Sequence, residues 1–250
     1  MTLQCMLTHG LGGSPFEMAG IAAALEKAGL EAHLLTLPGH AASEDAFMRV
    51  SYADWRAYML AEHARLARRG PVLAVGFSLG GLLSLDVAES VPLAGVVTLA
   101  APVYLYCWHP LFMLDWRLPL AGLLHHALPV LRGQARSAEA QAIAPWRGYE
   151  GLTVTRHVAD MMTAQRRVRA GLRSITAPAL LWQARGDATC RAWNALYLAG
   201  HLGSAEVTLR MVDIQETRAG HHLLPTHRET RDAVAASVCD FALRVQERLS

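Results

Sequence analysis

Charge is scarce in this sequence. Of its 250 residues 18% are Asp, Glu, Lys or Arg, and the formal net charge is +2, too near neutral to draw the chain to nucleic acid or an anionic bilayer. No like-charge run exceeds the pairs Arg68-Arg69 and Arg166-Arg167, and there is no repeat or low-complexity tract. Cysteine is sparse as well. Cys5, Cys107, Cys190 and Cys239 lie far apart without metal-type spacing, which predicts buried free thiols in a reducing cytosol rather than a disulfide framework. No apolar run is long enough to span a bilayer, and the longest candidate is broken by His109, Asp115, Arg117 and three prolines. The N-terminus carries no basic segment or cleavage site, and Leu3 to Thr8 already reads as a strand. These absences predict a soluble cytoplasmic protein with no nucleic-acid partner, no stable membrane insertion, no metal and no cofactor.

What is present is apolar: 52% of residues are hydrophobic, enough to fill a sizeable core and suited to a sheet buried on both faces. The stretch Val72 to Leu83 organises the rest. A β-branched run stops at Gly76, a helix-forming run begins past Ser78, and Gly76-Phe77-Ser78-Leu79-Gly80 lies between them. A serine at such a strand-to-helix elbow projects clear of the sheet, at the cost of backbone strain. Glycines two residues either side avoid a collision across the turn. The elbow leaves the Leu79 N–H at a helix N-terminus, facing any negative charge that develops at the serine.

In chain order, Leu3–Thr8 is a strand that runs into His9-Gly10-Leu11-Gly12-Gly13-Ser14-Pro15. Ser14 as N-cap, Pro15 at the first position and Glu17 three residues on form a capping box for a helix to about Lys27. A second strand covers Ala32 to Leu37, ended by Pro38-Gly39-His40. Helices follow from Ser51 or Asp54 to Arg69 and from the elbow to Ser90, with a strand at Leu93–Ala100. This alternation predicts βαβ units, a mostly parallel sheet and helices on both faces. Residues 103–171 break it. Val103 to Leu131 is aromatic and aliphatic, cut by Pro110, Pro119 and Pro129, and a polar Arg-rich stretch with one helix at Val158–Leu172 follows. This reads as a strandless cap between two late strands, over a core of residues 1–102 and 172–250; further helical core is the plainer alternative. Strand Ala179–Ala184, helix Arg191–Leu202, strand Val207–Val212 and a helix from about Thr226 to Leu249 complete the chain.

Ser78 needs a base and the base an acid. Asp187 follows the strand at Ala179, and His221 and His222 follow the last strand, so all reach the sheet edge where ligands bind in open α/β folds. Asp213 and Asp86 are alternative acids, and His222 an alternative base. His9 reads as a hydrogen-bonding scaffold and His40 as a turn residue. The pair His125-His126 has no carboxylate or cysteine partner at ligand spacing. The order Ser, Asp, His is that of the α/β-hydrolase arrangement.

The chain resembles the α/β-hydrolase superfamily, and within it the small capped carboxylesterase and bacterial monoacylglycerol lipase group. The resemblance rests on His9 to Gly13, Leu37 to His40, Gly76 to Gly81, Ile175 to Pro178, Gln183 to Asp187 and Gly220-His221. Ala219 departs from it, standing where a serine is common, and Ala188-Thr189-Cys190 is less apolar than in that group. The Gly-His pattern of the family implies His221 as the base, hence a Ser78, Asp187, His221 triad. The resemblance also implies an oxyanion hole from the backbone N–H groups of Leu11 and Leu79. The expected activity is acyl-enzyme hydrolysis of short- to medium-chain esters, including monoacylglycerols, with the small-molecule ester as the partner. A thioesterase, a lactone or carbon–carbon bond hydrolase, or a non-catalytic binding protein on the same scaffold are the alternatives. Phe112, Met113 and Trp116 are the expected acyl-pocket residues.

Overall fold

The computed structural model describes residues 2–249 apart from 109, 110 and 114–117, and the backbone alone of 107, 108, 111–113, 119, 121 and 124. The first half of the chain runs β1 (Gln4–Thr8), α1 (Ala19–Lys27), β2 (Glu31–Leu35), α2 (Glu44–Arg49), α3 (Tyr52–Ala67), β3 (Val72–Phe77), α4 (Leu79–Ala88) and β4 (Gly95–Leu99). The insert holds β5 (Tyr106–Trp108), β6 (Leu111–Met113), α5 (Ala121–Ala127), β7 (Val130–Arg132), α6 (Ala138–Ile143), β8 (Leu152–Val154) and α7 (Thr155–Gly171). It is followed by β9 (Ala179–Ala184), α8 (Trp193–His201), β10 (Val207–Val212) and α9 (Arg231–Arg248).

Six strands form one parallel sheet in the order β10-β9-β4-β3-β1-β2. The four inner strands are buried at every residue, while β2 and β10 at the edges are half exposed. Alternation along each strand divides the core in two. Leu3, Cys5, Leu7, Leu73 and Val75 pack with Ile21 and Leu25 of α1 and Val238 and Phe241 of α9. Met6, Val72 and Ala74 pack on the other face with Trp55 and Met59 of α3, Leu82 of α4 and Val168 of α7. No described helix is long and apolar enough to cross a membrane.

Several local expectations change. The second strand stops at Leu35, and the last helix starts at Arg231 because Thr226 to Thr230 are spent in turns. Ser51 and Asp54 do form a reciprocal capping box on α3. Ser14 and Glu17 do not: Pro15–Met18 is a short 3₁₀ turn, Ser14 makes no side-chain cap, and Glu17 turns inward. The insert is not strandless either. β5 pairs with β6 and β7 with β8, each antiparallel. Thr155 starts α7 three residues earlier than the sequence suggests, its hydroxyl donating to the Leu128 carbonyl.

Candidate active site

Strand β3 delivers Ser78 through the predicted elbow. Its φ is 51° and ψ −115°, a strained backbone for a residue with a side chain. The turn tolerates it because its flanks are bare. A Cβ on Gly76 would lie 2.1 Å from the Gly80 carbonyl oxygen, and one on Gly80 would lie 2.2 Å from that of Thr8 in β1. The Ser78 N–H donates to the Leu99 carbonyl at 2.8 Å, tying the elbow to β4.

Asp187 is fully buried after β9. Its Oδ1 accepts the N–H groups of Thr189 and Cys190, each at 2.8 Å, and its Oδ2 accepts the Gln183 amide at 3.3 Å. The imidazole that meets Oδ2 is that of His222, Nδ1 donating at 2.7 Å, and its Nε2 accepts the Ser78 hydroxyl at 3.0 Å. The expected base, His221, is therefore replaced by its neighbour. The His221 ring packs over Gly186, where a Cβ would lie 2.1 Å from its Nδ1, and neither ring nitrogen has a hydrogen-bond partner among the described residues. Gly220, at φ 69°, turns the chain just before this pair, and the histidine that reaches Ser78 lies one residue later than the Gly-His pattern implies. The alternative acids lie elsewhere. Asp213 pairs with Arg185 at 3.3 Å in solvent, and Asp86 is buried between Arg56 and Arg167.

Burial would push the Asp187 carboxyl up, but His222 and the two backbone donors hold it below the ordinary carboxylate value. For His222 burial acts downward, and the Asp187 carboxylate outweighs it, with help from Glu17, leaving the imidazole pKa raised. The ring also lies against Phe77 at 5.0 Å.

Beside Ser78 the loop after β1 is braced on every side of Leu11. Glu17 Oε2 accepts the Gly10 N–H at 2.7 Å, His40 Nε2 accepts the Gly12 N–H at 3.0 Å, and the Gly12 carbonyl accepts the Tyr149 N–H at 2.8 Å. His9 has the scaffold role expected of it: Nδ1 donates to the Gly10 carbonyl and Nε2 accepts the Leu37 N–H. Burial drives His9 to about 4 and His40 to about 3, so both are neutral acceptors near pH 7. The N–H groups of Leu11 and Leu79 meet no acceptor among the described residues. The bracing roles of His40 and Glu17 escape sequence reasoning, since each is read there as a local turn or cap residue and acts instead across the fold.

These groups open into a cavity of about 890 Å³ between the sheet edge and the insert. Leu105, Leu118, Leu128, Leu131, Leu152 and Val158 form its apolar wall, and Gln134, Arg136 and Glu150 a polar flank. Of the expected acyl-pocket residues, Trp116 and the side chains of Phe112 and Met113 lie outside the described residues. The rings of His125 and His126 lie 3.9 Å apart, tilted by 37°.

The family model described as serine aminopeptidase, S33, matches residues 2–216. A carboxylesterase of Bacillus subtilis (strain 168) is 22% identical over 94% of this chain and 90% of its own length. A thermostable monoacylglycerol lipase of Bacillus sp. (strain H-257) is 35% identical over a shorter stretch, 39% of this chain and 40% of that protein. Among solved structures, one from a study of two metagenome-derived lipolytic enzymes superposes with a TM-score of 0.82 at 20% identity, covering 97% of this chain and 94% of that one. The monoacylglycerol lipase of Paleococcus ferrophilus follows the same course with a TM-score of 0.77 at 17% identity over the same shares.

Proposed function

Because the chain belongs to the serine aminopeptidase S33 family of hydrolases, with an α/β-hydrolase fold, we propose that it hydrolyses carboxylic esters through Ser78, His222 and Asp187. The observation that carries the reading is the relay itself: 3.0 Å from Ser78 Oγ to His222 Nε2 and 2.7 Å from His222 Nδ1 to Asp187 Oδ2. In the proposed reaction His222 takes the Ser78 proton as Oγ attacks the ester carbonyl. The carbonyl oxygen becomes an oxyanion held by the Leu11 and Leu79 N–H groups. The carbon–oxygen bond then breaks, His222 returns the proton to the leaving alcohol, and the acyl group stays on Ser78. Water, deprotonated by the same imidazole, releases the acid and restores the serine. Asp187 keeps the imidazole in the tautomer that leaves Nε2 free to accept and stabilises the imidazolium once formed.

The apolar wall of the cavity supports an acyl chain of short to medium length, and the polar flank supports an alcohol rich in hydroxyls, of which a monoacylglycerol is one. The test is a set of aryl esters, monoacylglycerols, acyl thioesters and aminoacyl arylamides assayed with wild type and Ser78→Ala. Ester turnover lost in the variant, and above that of thioesters and arylamides in wild type, is the expected result. A dominant arylamide or thioester activity would overturn the ester assignment while leaving the serine in place.

A further inference from the structure

Glu17 is a carboxylate beside the triad for which the reaction above has no use. It is 1% exposed, and a carboxylate so deeply buried is costly unless donors serve it. Two do: the Gly10 N–H reaches Oε2 at 2.7 Å and the Trp146 indole N–H reaches Oε1 at 2.5 Å. The loop is shaped around it, since a Cβ on Gly13 would lie 2.6 Å from both carboxyl oxygens. The Gly10 N–H belongs to the peptide plane immediately before the one that carries the Leu11 N–H.

We propose that Glu17 is a positioning residue for the oxyanion hole, fixing the plane next to the Leu11 donor and tying that loop to Trp146 of the insert. The inference rests on the Ser78 reading above. A negative charge at this site disfavours an oxyanion but favours the imidazolium that forms with it, so the two field effects oppose each other and the hydrogen-bond geometry remains. The ionised carboxylate accepts both N–H groups as a charged acceptor. Protonation turns one of the two oxygens into a hydroxyl, a weaker acceptor with a proton of its own to place between two donors.

Of the charged and titratable groups around the loop, His222 acts on Glu17 through its charge. His9 is neutral, and Arg147 of the insert lies over the Phe16 ring at 4.4 Å. Burial lifts the Glu17 pKa to about 7, against the pull of its two donors and of His222.

The experiment measures the rate of Ser78 phosphonylation by a fluorophosphonate probe between pH 5 and 9, for wild type, Glu17→Gln and Trp146→Phe. The probe needs an oxyanion hole but no ester substrate. In wild type the rate should fall on the acid side more steeply than one proton allows, because His222 and Glu17 both titrate. In Glu17→Gln an amide nitrogen faces one of the two N–H donors. Its rate at pH 8 should drop roughly 10-fold or more, short of the roughly 10²- to 10³-fold cost of removing an oxyanion donor outright, and its acid limb should become that of one proton. Trp146→Phe should keep the steep limb with a smaller loss, about threefold. A purely structural role would lower thermal stability and leave the limb unchanged. Labelling of Glu17→Gln at the wild-type rate, or more slowly with an unaltered limb, overturns the inference. If that variant does not fold, Trp146→Phe labelling at the wild-type rate overturns it by itself. Wild type that does not label at all removes the Ser78 reading, a different failure.

Discussion

His221 and His222 are neighbours, and neighbouring residues on an extended segment present their side chains to opposite sides. Only one can reach Ser78. The composition of the pair carries no information about which, and the Gly-His pattern points to His221 where the geometry brings His222 to Ser78. The deciding feature is Gly186, whose bare Cα leaves room for the His221 ring, a contact between distant loops that no local spacing reveals. Ser78, by contrast, was legible from its glycine-flanked elbow, whereas Asp187 shares its place after a strand end with Asp213, and the resemblance favoured it. His222→Ala should therefore lose nearly all ester hydrolysis, while His221→Ala keeps a substantial part; equal losses in kcat/KM would contradict the assignment. Asp187→Asn should cost on the order of 10⁴ in kcat, because the amide holds the wrong imidazole tautomer. The base must be neutral to act, and the carboxylate beside it favours its charged form. Activity should thus fall as pH drops, through a midpoint above the usual imidazole value of about 6.5. A midpoint below that value, measured on kcat/KM, would show that burial outweighs Asp187.

At the scale of elements, β3, β4 and β9 were readable as largely apolar runs set off by glycine or proline, and α3 because Trp55, Met59 and Leu66 recur on one face. The three-residue strands of the insert were not. Three residues show no periodicity, and β7 finds β8 only across the intervening α6. The Ser14 to Glu17 spacing satisfies the capping pattern yet fails, since two N–H donors from elsewhere in the fold outbid the local one for the Glu17 carboxylate. The elbow depends on sterics more than on any hydrogen bond. Gly80→Ala would drive a methyl group into the carbonyl oxygens of Thr8 and His9, at 2.2 and 2.7 Å. Neither is the end of a flexible side chain, so β1 or α4 must shift. We expect a loss of more than about 3 kcal/mol in urea-induced unfolding. Near-wild-type stability would mean that the elbow has more slack than its geometry indicates.

The molecule as a whole opens Ser78 onto a cavity that residues of the insert also line. Each substrate methylene buried there contributes up to about 0.8 kcal/mol, roughly fourfold in specificity, so kcat/KM should rise from acetyl through medium acyl chains and then level or fall. Val158 of α7 is half-buried on this wall, and Val158→Trp should move the optimum to shorter chains while sparing the acetyl ester. An unchanged chain-length profile would place the acyl chain elsewhere. Part of the cavity's wall was readable, since Leu105, Leu118, Leu128 and Leu131 fall within the apolar stretch Val103–Leu131, while Leu152 and Val158 join it from a segment that showed no such pattern. One consequence concerns how such a protein can diversify. Strand β4 pairs directly with β9, Val96 beside Ala179, with the whole insert looped out between them. Doubling a loop adds only about 0.6 kcal/mol to the cost of closing it, so the sheet is nearly indifferent to the size of that excursion. Chemistry and selectivity are thereby inherited as separable modules: one can be exchanged or extended while the other is kept. The indole of Trp146, donating across the seam to Glu17, is the fitting that any transplanted roof would have to reproduce.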